Sequence, residues 1–185
     1  ATHPDALVRA VRANHADYGI ALDGDADRLQ MVDATGRLYN GDELLYLLVA
    51  DRMGRDEYVP GVVGTLMTNM AVELALKARG VKLERAAVGD RYVLEHMREH
   101  GFNVGGEQSG HIILSDFTTT GDGLVAALQV LATVQRSGQG VSKACQKFEP
   151  LPQVLKNVRF SGGDPLGSDI VARVIAEGEQ RLGKG

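Results

Sequence analysis

Residues 62–104 read VVGTLMTNMAVELALKARGVKLERAAVGDRYVLEHMREHGFNV. The apolar run 62–66 has the length of a buried strand, and 69–79 has helical spacing stopped by Gly80. The pattern then repeats: a strand at 83–88, a helix at 91–100 stopped by Gly101, and a strand at 102–104. Strands alternating with helices predict an α/β fold with a mixed or parallel sheet. Working outward, 105–110 is a polar glycine-rich loop, 111–114 a strand and 122–135 a long apolar helix. Upstream, 42–52 is a helix with Leu44, Leu45, Leu48 and Val49 on one face. Thr35-Gly36 and Asn40-Gly41 punctuate a boundary near 35–41. Before it come a helix from Pro4 to about Asn14 and strands at 18–22 and 29–33. Downstream, 143–155 with Pro150 and Pro152 reads as a linker, 154–160 as a strand and 169–182 as an amphipathic helix.

The chain of 185 residues is 44% apolar, an ordinary globular proportion. Its net charge of −4 supplies no general basic field for nucleic acid. Cys145 is the only cysteine, so an internal disulfide is excluded and a reducing compartment fits. No apolar run reaches the roughly 18 residues of a membrane span. The first residue is Ala1 and the tail is short for a domain, which suggests a piece of a longer protein.

The chemistry concentrates in Asp23-Gly24-Asp25-Ala26-Asp27-Arg28, between the strands 18–22 and 29–33. On a helix, residues two apart diverge by about 200°; in a turn leaving a strand, three alternate carboxylates can converge on one cation. An oxygen-only set favours Mg²⁺ or Ca²⁺ over zinc or copper. The calcium loop of an EF-hand fails, because it needs Gly where Arg28 stands and Glu where Ala34 stands. Arg28 suits a phosphate, or a salt bridge that relieves repulsion among the carboxylates.

A second group is Gly105-Gly106-Glu107-Gln108-Ser109-Gly110-His111. Its glycines let backbone approach a ligand, and Glu107 with Ser109 can pair with vicinal sugar hydroxyls; a tight hairpin with polar tips is the plainer alternative. His111 is either a ligand contact or a buried core histidine beside Ile112 and Ile113. Gly89-Asp90-Arg91-Tyr92 follows a strand, where ligands of α/β sheets gather, although Asp90 can equally be a helix cap. Thr118-Thr119-Thr120-Gly121-Asp122-Gly123 precedes the long helix and suits an anion or plain capping.

The DGDADR and GEQSGH loops, in this order, resemble those of the α-D-phosphohexomutases, and VGDRY, TTTGDG and Gln108 resemble the glucosamine-phosphate branch of that family. The likeness covers essentially the whole chain. It implies the end of a second domain with the metal loop at 1–37, a third domain with the sugar loop at 38–148, and a linker with an incomplete fourth domain at 149–185. It implies interconversion of glucosamine 6-phosphate and glucosamine 1-phosphate through a phosphoserine and a bisphosphorylated sugar, for cell-wall precursors in the cytoplasm. Asp23, Asp25 and Asp27 would hold Mg²⁺ and Arg28 would steady the phosphoryl group. Glu107 and Ser109, with Asp90, Arg91 and His111 behind them, would bind substrate. The partner is a small sugar phosphate, with no nucleic acid or membrane, and a homodimer of the full-length protein is compatible. The family's phosphoserine loop and its phosphate-holding loop have no counterpart here, so these residues alone are expected to be inactive.

Two other readings compete. An aspartate-nucleophile hydrolase of the D-x-D-x-[T/V] type would need Thr or Val where Asp27 stands. A nonenzymatic sugar-phosphate or metal-binding module would keep the loops and lack turnover.

Overall fold

The computed structural model describes residues 4–182. It is mixed α/β, with two sheets. In the first, β1 (Tyr18–Leu22), β2 (Leu29–Asp33) and the two-residue β3 (Leu38–Tyr39) form an antiparallel meander. Helix α1 (Asp5–Ala13) packs on β1 and β2 and buries Val11.

The second sheet has the order β5-β4-β6-β7. Strand β4 (Val62–Thr65) pairs in parallel with β5 (Leu83–Ala86) and β6 (Val104–Gly106), and β7 (Ile112–Leu114) closes the edge antiparallel to β6. Helices α3 (Met70–Lys77) and α4 (Asp90–His100) make the crossovers between the parallel strands. Both glycine stops are explicit. Gly80 and Gly101 sit at φ 75° and 66°, the left-handed conformation that ends helices at least cost with glycine.

Helix α2 (Gly41–Gly54) is the central pillar. The spacing predicts one apolar face, but Gly41–Val49 are all buried. Sheet strand β6 and helices α3, α5 (Gly123–Ser137) and α6 (Val141–Cys145) surround it. A helix that is apolar nearly all round belongs inside. Its start is fixed by a reciprocal cap: Asn40 accepts from the Glu43 amide at 3.1 Å and Glu43 accepts from the Asn40 amide at 3.2 Å.

A buried carboxylate ties the first sheet to α6. Asp33 accepts from the Thr35 amide and hydroxyl at 2.9 and 2.7 Å, the Arg37 amide at 3.0 Å, the Tyr39 hydroxyl at 2.9 Å and the Ser142 hydroxyl at 2.8 Å. Burial opposes its charge, but these donors outweigh it and hold the carboxyl at about 2. The Tyr39 hydroxyl is correspondingly pushed up to about 12 by burial and by donating to Asp33.

Three expectations are corrected. Strand β6 lies at Val104–Gly106, not 102–104, because pairing with β4 and β7 continues through the glycines. The expected linker from 143 begins inside α6, whose Ala144 and Cys145 are core residues. The expected strand at 154–160 is absent: 151–160 has no regular structure, and Val154, Leu155, Val158 and Phe160 are exposed. An apolar segment without a neighbouring strand has nothing to pair with.

The chain divides into two compact units, Ala1–Pro152 and Gln153–Gly185. The second unit carries a 3₁₀ turn, Pro165–Gly167, and α7 (Asp169–Leu182), in which no described residue is buried. Among the described residues, no helix is long and apolar enough to cross a membrane.

Candidate functional site

The β1–β2 connection is the six-residue stretch from Asp23 to Arg28, since Leu22 pairs with Leu29. Its turn closes with the Ala26 amide donating to the Asp23 carbonyl at 3.2 Å, Ala26 itself being left-handed at φ 60°. Each of Asp23, Asp25 and Asp27 offers a carboxylate oxygen, and these oxygens lie within 4.8 Å of one another. Asp23 also accepts from the Arg28 amide at 3.2 Å. The Arg28 guanidinium stands 3.6 Å from Asp23 and 3.8 Å from Asp27, close enough to offset their charge. Burial works against ionisation of Asp23, yet the Arg28 amide and the Arg28 charge hold it below the ordinary carboxylate range.

One oxygen reports on fit. Asp27 Oδ1 is buried and has no hydrogen-bond partner. Arg28 Nε stands 3.8 Å from it, beyond hydrogen-bond reach, and a buried carboxylate oxygen that accepts no hydrogen bond in a cluster of three carboxylates is costly unless a further cation takes it. The donor set is all oxygen, which fits a hard dication such as Mg²⁺.

The aspartate loop is held from behind by residues far along the chain. His111 is buried, with Nδ1 2.9 Å from Asp27 Oδ2, so the imidazole N–H donates to that carboxylate. The Leu29 amide donates to the Gly110 carbonyl at 3.0 Å, and Arg28 and His111 form a backbone bridge. The Gly123 amide donates to the Ala26 carbonyl at 2.9 Å. Glycine is required at the contacts. A Cβ on Gly110, at φ 96°, would stand 2.1 Å from the Leu29 carbonyl oxygen; one on Gly121 would stand 2.2 Å from His111 Nε2. The Thr118–Gly123 segment thus serves as packing against the loop. Its Asp122 caps α5 by accepting from the Val125 amide at 2.9 Å.

The glycine-rich loop turns tightly between β6 and β7. The Glu107 amide donates to the His111 carbonyl at 2.9 Å and the Gly110 amide to the Glu107 carbonyl at 3.0 Å. Gly41, at the start of α2, supports it by donating to the Gln108 carbonyl at 3.0 Å. A cavity of about 160 Å³ opens between the two loops, with Arg28, Gln30, Asn40, Gln108 and Ser109 in its lining.

The candidate residues therefore divide. Asp23, Asp25, Asp27, Arg28 and His111 form one connected cluster, and Ser109 and Arg28 share the cavity. Glu107 instead directs Oε1 to the Gly89 amide at 3.0 Å, which anchors the loop to the start of α4. Asp90 is not the cap of α4: Gly89 occupies that position and Asp90 is exposed in the first turn. Arg91 is exposed and pairs with Glu95 at 2.8 Å. The supporting roles of Gly41, Gly121 and Gly123 escaped the sequence reading. Only their position beside polar loops hinted at them.

An α/β arrangement with the aspartate loop on an antiparallel sheet and the glycine-rich loop on a mixed sheet has the fold of solved phosphohexomutases. A phosphoglucomutase/phosphomannomutase family protein of Burkholderia thailandensis superposes with a TM-score of 0.69 at 24% identity, over 77% of this chain and 32% of that one. The Aspergillus fumigatus N-acetylphosphoglucosamine mutase, solved with GlcNAc-6P and magnesium, gives 0.65 at 20% identity, over 86% and 43%. Residues 40–151 match the family model described as phosphoglucomutase/phosphomannomutase, alpha/beta/alpha domain III. The chain belongs to that family. It is 62% identical to the phosphoglucosamine mutases of Acidovorax sp. (strain JS42) and Paraburkholderia phymatum, over 99% and 98% of its length. It spans about two fifths of those relatives, 41% and 40% of their lengths.

Proposed function

We propose that these residues belong to a phosphoglucosamine mutase, which interconverts glucosamine 6-phosphate and glucosamine 1-phosphate through a phosphoserine and a bisphosphorylated sugar. The reading rests on the 62% identity to proteins of that name, together with one observation of geometry. That observation is the cluster of three aspartates, one with a buried oxygen that accepts no hydrogen bond, zipped by backbone hydrogen bonds to the loop that borders the cavity. On this reading 1–37 and 38–148 are the end of a second and a third domain around a cleft, and 149–185 leads into a fourth. The phosphorylated serine comes from another part of the protein. Cytoplasmic supply of cell-wall precursors is the matching role.

Asp23, Asp25 and Asp27 would hold Mg²⁺. Bound there, the ion supplies electrostatic neutralisation of the phosphoryl oxygens. The remaining work belongs to side chains. His111 keeps Asp27 oriented by donating from Nδ1. Arg28, exposed on the cavity side, pairs with phosphoryl oxygens. Ser109 and Gln108 meet the sugar. Glu107, pinned by the Gly89 amide through one oxygen, uses the other to accept from a sugar hydroxyl. Hydroxyl contacts of this kind serve both orientations of a sugar that must turn over between two phosphoryl transfers.

The test uses the full-length protein. Asp25→Asn should lower kcat by about 100-fold or more, with the serine still phosphorylated, and glucosamine 6-phosphate should exceed glucose and mannose 6-phosphates in kcat/KM. Residues 1–185 alone should turn over none of them. A preference for mannose or glucose phosphate would move the assignment to the phosphomannomutase/phosphoglucomutase branch. Turnover by residues 1–185 alone would overturn the reading.

A further inference from the structure

Helix α4 ends in a second group of ligand-type side chains, separate from the aspartate loop. His96 and His100 stand one turn apart with ring centroids 4.3 Å apart and planes 30° from parallel. His100 Nδ1 lies 2.9 Å from the His96 carbonyl oxygen. A carbonyl only accepts, so Nδ1 carries the proton and Nε2 presents its lone pair. Metal-binding imidazoles are oriented in this way, with one ring N–H pinned to a carbonyl and the other nitrogen left for the ion.

The second histidine is poised as well. His96 Nε2 is shielded from solvent and has no hydrogen-bond partner, and its Nδ1 stands 4.0 Å from Glu99. One ligand atom from each of His96, Glu99 and His100 lies within 4.8 Å of the others. The scaffold beneath is firm, because Val93 and Met97, on the turns beside His96 and His100, are buried in the core. Only side-chain rotation is then needed to close the ligands on an ion.

We propose that the last turn of α4 is a binding site for a borderline transition-metal dication, Zn²⁺ foremost, with His96, His100 and Glu99 as ligands. Two imidazoles and one carboxylate suit zinc and its neighbours, whereas Mg²⁺ takes oxygen. The molecule therefore offers two cation sites of opposite preference. A solvated salt-bridged helix end is the plainer description of the same residues. It leaves unexplained the unpartnered His96 nitrogen and the tautomer imposed on His100.

The test is Zn²⁺ binding to the 185-residue chain by equilibrium dialysis in excess Mg²⁺, with thermal melts alongside. One Zn²⁺ per chain is expected, and it should raise Tm because it binds the folded helix alone. The triple variant Asp23→Asn, Asp25→Asn, Asp27→Asn should bind zinc as well as the parent. His96→Gln with His100→Gln should weaken binding by at least about tenfold, since even outer supporting groups of a metal site cost that much, and should abolish the rise in Tm. The single exposed change His100→Ala, with helix content checked by circular dichroism, guards against misfolding. Unchanged affinity in the histidine variants, or loss of zinc in the aspartate variant, would overturn the site.

Discussion

The two compact units are built from similar raw material and reach opposite ends. In Ala1–Pro152, apolar residues from α2, the four-stranded sheet and α5 lose nearly all contact with water. In Gln153–Gly185, Val154 remains 90% exposed and Phe160 64%, and α7 buries no described residue. Both contain amphipathic helices. The difference is the partner: a helix gains stability chiefly from what its apolar stripe meets. Hydrophobic periodicity thus tells where an element can form and says little about whether its face is covered.

Glycine substitutions break the comparison hardest. Gly110 is left-handed and faces the Leu29 backbone, so Gly110→Val should destabilise the first unit by roughly 3 kcal/mol or more. Gly162 is also left-handed, at φ 70°, but has open space around it; Gly162→Ala should cost only about 1–2 kcal/mol of local conformational strain and leave the main urea transition in place. Equal shifts of that transition would show that backbone strain, and not close approach, governs Gly110.

Asp33 gives the next effect. Asp33→Ala strips the acceptor from the Tyr39 and Ser142 hydroxyls, at an expected cost of roughly 2–3 kcal/mol in urea unfolding. The parent chain has a matching acid signature. The folded carboxyl sits at about 2, below its ordinary 3.8. Its contribution is therefore complete above pH 3.8 and lost as pH falls toward 2. The variant should lack that segment of the stability curve.

Asp42 carries the opposite sign. Burial raises its carboxyl to about 6, with one oxygen accepting from the Asn69 amide at 2.9 Å and the other unpartnered. The folded state holds this proton more tightly than the unfolded chain, so stability from this group declines as pH rises from about 4 to 6. Asp42→Asn should flatten that decline by roughly 1–2 kcal/mol, measured as the difference in urea unfolding between pH 4 and pH 7.

The smallest effect lies in the second unit. Gly178 sits inside α7 with nothing nearby, so Gly178→Ala should add about 1 kcal/mol of helix propensity, read as increased ellipticity of a 153–185 peptide. No gain would mean that α7 does not persist in isolation.

Much of the first unit was legible because its signals agree. Strands 18–22 and 29–33 are bracketed by polar turns, and the helices before Gly80 and Gly101 have both periodicity and a stop. The convergence of the three aspartates was legible from alternate spacing in a turn. Glycine hid the rest. Gly105 and Gly106 read as loop, yet they are strand, with Val93 and Met97 filling the space a side chain would take beside Gly105. The direction of Glu107 toward Gly89 depends on β6 lying next to β4 and on where α4 starts, which pairwise sequence spacing does not encode. At 154–160 local pattern favoured a strand, and the absence of a partner overruled it.

The hydrogen bond from His111 to Asp27 joins positions 84 apart in the chain, and the aspartate loop also leans on Gly110 and Gly123. Closing contacts over such separations is slow and comes after local structure. A nascent β1–β2 hairpin therefore carries all three aspartates without the support that fixes their geometry. On the proposed reading, in which these aspartates hold a cation, cation binding at this loop would be a clock for folding. It should switch on in the last kinetic phase, together with the arrival of β7 and the start of α5, so a pulse of metal during refolding would count finished molecules and pass over every partly assembled one.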